Sequence, residues 1–127
     1  MNWWAVIFGA AIGSPCRFLV DAAVSHRFGR AQPWGTLAVN LSGSAILGVL
    51  AGMLASGNLS SAGYALFGIG FCGAFTTFST FVWECVALVE DRRVRAALWT
   101  VALTLVVGIG FAYIGYTLLA SMPRHHL

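Results

Sequence analysis

Lysine is absent from this sequence, and charge of either sign is sparse. Seven arginines and four acidic residues make 9% of the 127 positions charged, against about a quarter in a soluble domain. So few charges cannot cover a surface that faces water, which excludes an ordinary soluble domain. The formal charge of +3 is small and spread over the segments between apolar runs, which is no footprint for nucleic acid. Cysteine is scarce too. Cys16, Cys72 and Cys85 are odd in number, sit inside apolar runs, and form neither a CxxC nor a Cys/His ligand spacing. They read as small buried hydrophobes. The first residues, Met1-Asn2-Trp3-Trp4, lack a basic segment, so no cleaved signal peptide is expected, and Trp3 and Trp4 read as interfacial anchors. No nucleophile–base pair or metal-ligand set is visible, which leaves an enzyme the least supported class.

What the sequence does have is apolar length. Hydrophobic residues make up 59% of the chain and mean hydropathy is +0.84. The apolar runs cover residues 3–24, 34–55, 63–89 and 96–120, each long enough to cross about 30 Å of hydrocarbon as a helix. The expectation is a single domain, residues 1–127, of the all-α membrane class, with four transmembrane helices and both termini on one side. Polar or turn-rich stretches separate the runs: Ser25 to Pro33, Ser56 to Ser61, and Glu90 to Arg95. Small residues recur at helix-packing spacing, Gly9 and Gly13 in the first span and Ser44, Gly48 and Gly52 in the second. Lipid tails give helices no hydrophobic reason to associate, so such ridges serve close backbone packing and say nothing of function.

Polar residues inside hydrocarbon are expensive unless they are paired or face water. The second span places Thr36, Asn40 and Ser44 at i, i+4 and i+8, one stripe of a helix. An unpaired Asn40 amide would cost several kcal/mol, so it either bonds a neighbouring helix or lines a wet path. Thr100, Thr104 and Gly108 repeat that spacing in the fourth span, a weaker signal because threonine hydroxyls often bond back to their own helix. The third span is the informative one. Gly68, Gly70 and Gly73 precede Thr76, Thr77, Ser79 and Thr80, a run that disfavours a continuous helix near mid-membrane. A break at that depth is tolerated only when it is buried in protein or lines a cavity. Unwound carbonyls there suit a cation, and half-helix N-termini suit an anion. Phe78 and Phe81, at i and i+3, put two rings on one side, and the positive edge of a ring can face an anion beside the hydroxyls of Ser79 and Thr80. Glu84, one turn further, either caps this path or bonds a neighbouring helix.

These residues together resemble the Fluc (CrcB) family of small bacterial fluoride channels over nearly the whole chain. The likeness rests on Gly13-Ser14-Pro15-Cys16-Arg17, on Gly35-Thr36-Leu37-Ala38-Val39-Asn40, and above all on the string from Gly70 to Phe81. The resemblance implies an antiparallel dimer in the bacterial inner membrane, with dual topology and two anion pathways. It implies passive export of fluoride from the cytoplasm, which relieves fluoride toxicity. Phe78 and Phe81 match the pore phenylalanines and Asn40 the pore asparagine, with Thr36, Ser79, Thr80, Thr100 and Thr104 on the anion path. Arg17 matches a vestibule arginine. The backbone carbonyls of Gly73 and Thr76 match the holders of a central structural Na+. Two positions depart from the family pattern: Ala74 replaces a second glycine, and Gly108 replaces a third hydroxyl residue.

Neutral donors suit this task, because a small, strongly hydrated anion must be gripped closely yet released. Two other readings stand beside it. A small dual-topology drug or cation exporter also has four spans, but it would need a carboxylate well inside the first span, where only Asp21 near the end is present. A noncatalytic membrane subunit would leave the hydroxyl-rich break without a reason. Loop charge bears on the partner. Arg27, Arg30, Arg92, Arg93 and Arg95 flank one membrane side, against Arg124 on the other, with His125 and His126 read as a mobile tail without a metal. Five against one normally fixes a single orientation. The antiparallel homodimer is the favoured partner arrangement because Glu90 and Asp91 offset the nearby arginines, and an oppositely oriented paralogue is the other.

Overall fold

Asn2 opens the first helix, its side chain accepting the Ala5 N–H at 3.2 Å. Such a cap satisfies one of the N–H groups that a helix start leaves without a partner. The computed structural model describes residues 1–125, and all of its regular elements are helical. Helix α1 (Trp3–Phe28) runs through the internal Pro15 and ends at Gly29, whose φ of 81° lets the chain turn while its N–H still reaches the Ser25 carbonyl at 2.8 Å. Helix α2 (Trp34–Ala55) starts directly after Pro33. The third span, Ser61–Glu90, is composite. It consists of α3 (Ser61–Tyr64), a π-helical stretch Ala65–Cys72, α4 (Gly73–Phe75), a three-residue break, and α5 (Ser79–Glu90). Helix α6 (Val94–Ala120) follows a tight turn in which Arg92 has φ 60°.

By length and composition, four helical segments can cross a membrane. Their bounds follow the apolar runs, and α1 extends four residues past the expected end at position 24. Ser25 to Phe28 contain no helix breaker, so the helix continues until Gly29. The third span is interrupted as expected, with the π-helical turns an added feature. π-bulges inside helices often mark functional sites.

Glycine sets two close helix contacts. A Cβ at Gly9, Gly13 or Gly70 would meet backbone between α1 and the third span. A Cβ at Gly48 would lie 2.7 Å from the Ala112 Cα, and one at Gly115 would lie 2.9 Å from the Val49 nitrogen, so α2 and α6 touch through their backbones. Gly52 joins that seam, as its spacing with Gly48 implies. The enclosed residues include Val39, Ala65, Cys72, Phe75 and Ala97, whereas most large apolar side chains point outward, as lipid requires. Only Cys72 of the three cysteines is buried; Cys16 and Cys85 are partly exposed, a correction to the expectation for those two. At the tail, Asn58 donates to the Pro123 carbonyl at 3.2 Å and accepts the His125 N–H at 2.9 Å. The tail thus meets Asn58 at Pro123 and His125, and His126 lies outside the described residues.

Candidate functional site

The helix stops after Phe75 because Thr76 turns extended, with ψ 160°. Its N–H and hydroxyl both still donate to the Cys72 carbonyl, at 3.0 and 2.9 Å. The next residue is then taken over by another helix. Asn40 of α2 accepts the Thr77 N–H at 2.8 Å and donates its amide to the Thr77 carbonyl at 2.9 Å. One buried side chain thus pairs both backbone groups of Thr77. The Thr77 hydroxyl in turn accepts the Thr80 N–H at 3.3 Å and contacts the Thr80 hydroxyl at 3.2 Å, which starts α5. Regular bonding resumes with Val82 N–H to the Phe78 carbonyl at 2.9 Å.

Beside this break, most of the expected polar residues line one of two cavities, Ser79 and Thr100 lining neither. One, about 290 Å³, lies among Ser14, Arg17, Asp21, Thr36, Thr77 and Thr80. The other, about 260 Å³, lies among Asn40, Ser44, Thr76, Phe78, Phe81 and Thr104. Thr77 lines both. The Phe78 and Phe81 rings are 6.1 Å apart and tilted by 42°, with Phe81 9% exposed and Phe78 78% exposed. Phe81 is therefore held by its own chain, while the Phe78 ring is left standing on an open face.

This geometry stands beside a clear kinship. A family model described as CrcB-like protein, Camphor Resistance (CrcB), matches residues 4–116. The chain belongs to the CrcB family. Its relatives include the Fluoride-specific ion channel FluC 2 of Mycobacterium tuberculosis H37Rv, 43% identical over 113 residues, covering 89% of this chain and 86% of that one. A protein of the same name from Mycolicibacterium paratuberculosis is 45% identical over 116 residues, covering 91% and 92%. The Fluoride-specific ion channel FluC 1 of Nocardia farcinica is 43% identical over 118 residues, covering 93% and 80%.

In this CrcB-family chain the stripe Thr36, Asn40, Ser44 spans two cavities, with Thr77 on the wall of both. Thr36 faces the first cavity, Asn40 and Ser44 the second. On α6, Thr104 reaches the second cavity, but its hydroxyl donates to the Thr100 carbonyl at 2.7 Å. Thr100 is buried and donates to the Ala96 carbonyl at 2.8 Å, so its hydroxyl is spent within its own helix. Ser79 is exposed, and its hydroxyl lies 3.5 Å from that of Thr77. A third cavity of about 430 Å³, among Asp21, Ser25, Arg30, Glu84 and Arg93, adjoins the α1–α2 turn. Glu84 sits on its wall with its Oε2 buried and without a hydrogen-bond partner among the described residues.

Whether the break suits a cation is decided by its carbonyls. In a continuous helix the Gly73 carbonyl would accept the Thr77 N–H, and the Thr76 carbonyl the Thr80 N–H. Both donors are engaged elsewhere, by Asn40 and by the Thr77 hydroxyl. Among the described residues no backbone hydrogen bond reaches either carbonyl. Gly73 is exposed, with nothing within 4 Å of where a Cβ would stand. Neutral oxygen donors freed by an unwound helix are the type of group that holds Na+ in membrane proteins. No cluster of His, Cys, Asp or Glu suited to a metal ion occurs among the described residues. Thr77, which joins these features, entered the sequence reading only as one member of the hydroxyl run and was given no role of its own. The hydroxyl pair Thr76-Thr77 was the available signal, because a threonine just before a helix start is placed to cap it.

Proposed function

We propose that this chain forms a fluoride-selective channel that lets fluoride leave the cytoplasm passively across the bacterial inner membrane. The observation that carries the reading is the Phe78–Phe81 pair standing over a cavity shared with Asn40, Ser44 and Thr104. It sits in a chain whose relatives bear the name of fluoride-specific channels. The cavity's lining residues carry a second Asn40 amide hydrogen and two aromatic rings, whose edges can face an anion, without a full positive charge among them. Such donors replace part of an anion's water shell and hold it weakly enough for release.

The working unit in this reading is an antiparallel dimer with two pathways. The Phe78 ring, 78% exposed, would then be covered by the partner, and fluoride would pass between surfaces supplied by both chains. Arg17, beside Thr36 and Thr80 in the first cavity, would draw the anion into the wide end of the path. The Gly73 and Thr76 carbonyls of the two chains would hold a central Na+, which supplies positive potential between the pathways.

Reconstitution into liposomes tests the channel. Fluoride efflux, followed with a fluoride electrode under a valinomycin-clamped potential and without a proton gradient, is expected to be at least ~100-fold faster than chloride efflux, a difference of about 2.7 kcal/mol. Equal efflux of the two anions would refute the selectivity.

A further inference from the structure

We propose that Thr77 and Asn40 are positioning residues for the cation, acting by withholding N–H partners from the two carbonyls that face it. The inference rests on the Na+ site of the proposed channel and assigns it two side chains that do not touch the ion.

The pairing is specific. The break leaves the carbonyls of residues 73–76 beyond regular helical bonding, and two of the four N–H groups that would have reached them are captured by side chains. The captured N–H groups are those of Thr77 and Thr80, four residues after Gly73 and Thr76 respectively. Asn40 accepts the first at 2.8 Å and the Thr77 hydroxyl accepts the second at 3.3 Å. Asn40 also anchors Thr77 itself through the carbonyl, at 2.9 Å, so the hydroxyl that serves Thr80 is held by the same clamp. The two captures are thus linked in series from α2 through Thr77 to α5. Removing the Thr77 hydroxyl leaves the Thr80 N–H without its acceptor, and the nearest acceptor in helical register is the Thr76 carbonyl. Once that bond closes, one lone pair of the carbonyl is occupied and its direction is fixed along the helix axis rather than toward an ion. Serine retains the hydroxyl and retains the capture; valine matches threonine in shape and loses it.

Na+ itself is the probe, and the readout is thermal unfolding of the full-length chain in detergent, titrated with NaCl against N-methylglucamine chloride at constant ionic strength. The unsubstituted chain is expected to show a saturable rise of its unfolding midpoint with Na+. Thr77→Val is expected to need at least ~10-fold more Na+ for half the rise, and Thr77→Ser to stay within ~2-fold of the parent, tenfold being about 1.4 kcal/mol. Thr77→Ala makes the same comparison if the valine variant does not fold. Unchanged Na+ midpoints in Thr77→Val or Thr77→Ala would overturn the positioning role while leaving the Na+ site standing. A parent chain with no Na+ response would overturn both.

Discussion

Phe78 and Phe81 have the same chemistry in different surroundings, and that difference can be measured. Phe81 is 9% exposed and packs within its own chain, so Phe81→Ile removes buried ring area and is expected to lower stability by about 1 kcal/mol, in the range for a reshaped core position. Phe78 is 78% exposed, so Phe78→Ile disturbs almost no packing inside one chain. If ring edges serve the anion, both variants are expected to lose at least ~10-fold in fluoride efflux, about 1.4 kcal/mol, whereas only Phe81→Ile shows a clear drop in unfolding midpoint. Full flux in either variant would return that ring to a packing role. The positions of both rings were legible in their i, i+3 spacing, but the inequality of their burial was not, because exposure depends on which neighbours the break admits. Asn40 teaches a related lesson. Its two readings, interhelical bond and pore donor, looked exclusive in the sequence. The amide in fact donates to and accepts from Thr77, and its second N–H makes no hydrogen bond among the described residues, while Asn40 lines the second cavity.

Among the elements, four apolar runs announced themselves through length, and the break in the third through glycine and hydroxyl content. The π-helical turns at Ala65–Cys72 were invisible, since in a segment apolar on all sides a change of helical pitch leaves no trace in the pattern of residue types. The division of Thr36 from Asn40 was hidden for another reason. One helical stripe meets several neighbours along its length, and Thr77 stands where one cavity gives way to the next. The glycine ridges were read correctly as packing surfaces, and the structure says which helices they join. Gly48 faces the Ala112 backbone, which has no flexible end to move aside. Gly48→Leu is therefore expected to part α2 from α6 and abolish the folded species in size-exclusion chromatography. Gly110→Ala, on the same helix as Ala112 but with nothing within 4 Å of its added carbon, is expected to be neutral or to stabilise α6 by up to about 1 kcal/mol. A soluble, well-folded Gly48→Leu chain would show that this seam is not the close contact described.

For the whole molecule, the two ends of the bundle are tied by different chemistry. At one end the Arg93 guanidinium donates to the Ala31 carbonyl, joining the α1–α2 turn to the α5–α6 turn. At the other, Asn58 holds the tail through Pro123 and His125, and the Arg124 side chain passes over Gly57. Arg93 is thus occupied by protein, and Arg27, Arg30, Arg92 and Arg95 stand near the same end. That excess favours one orientation in the membrane, while a homodimer of antiparallel chains needs both. Labelling from outside intact cells separates the two cases. With the native cysteines replaced, Ala31→Cys reports the arginine-rich end and Ser61→Cys the opposite end; both residues are exposed. Equal insertion in two orientations is expected to leave each reporter about half accessible to a membrane-impermeant maleimide. If Ser61→Cys labels fully and Ala31→Cys not at all, every copy of the chain lies one way. The open Phe78 face would then have to meet a different, oppositely oriented chain, and the antiparallel homodimer would be ruled out.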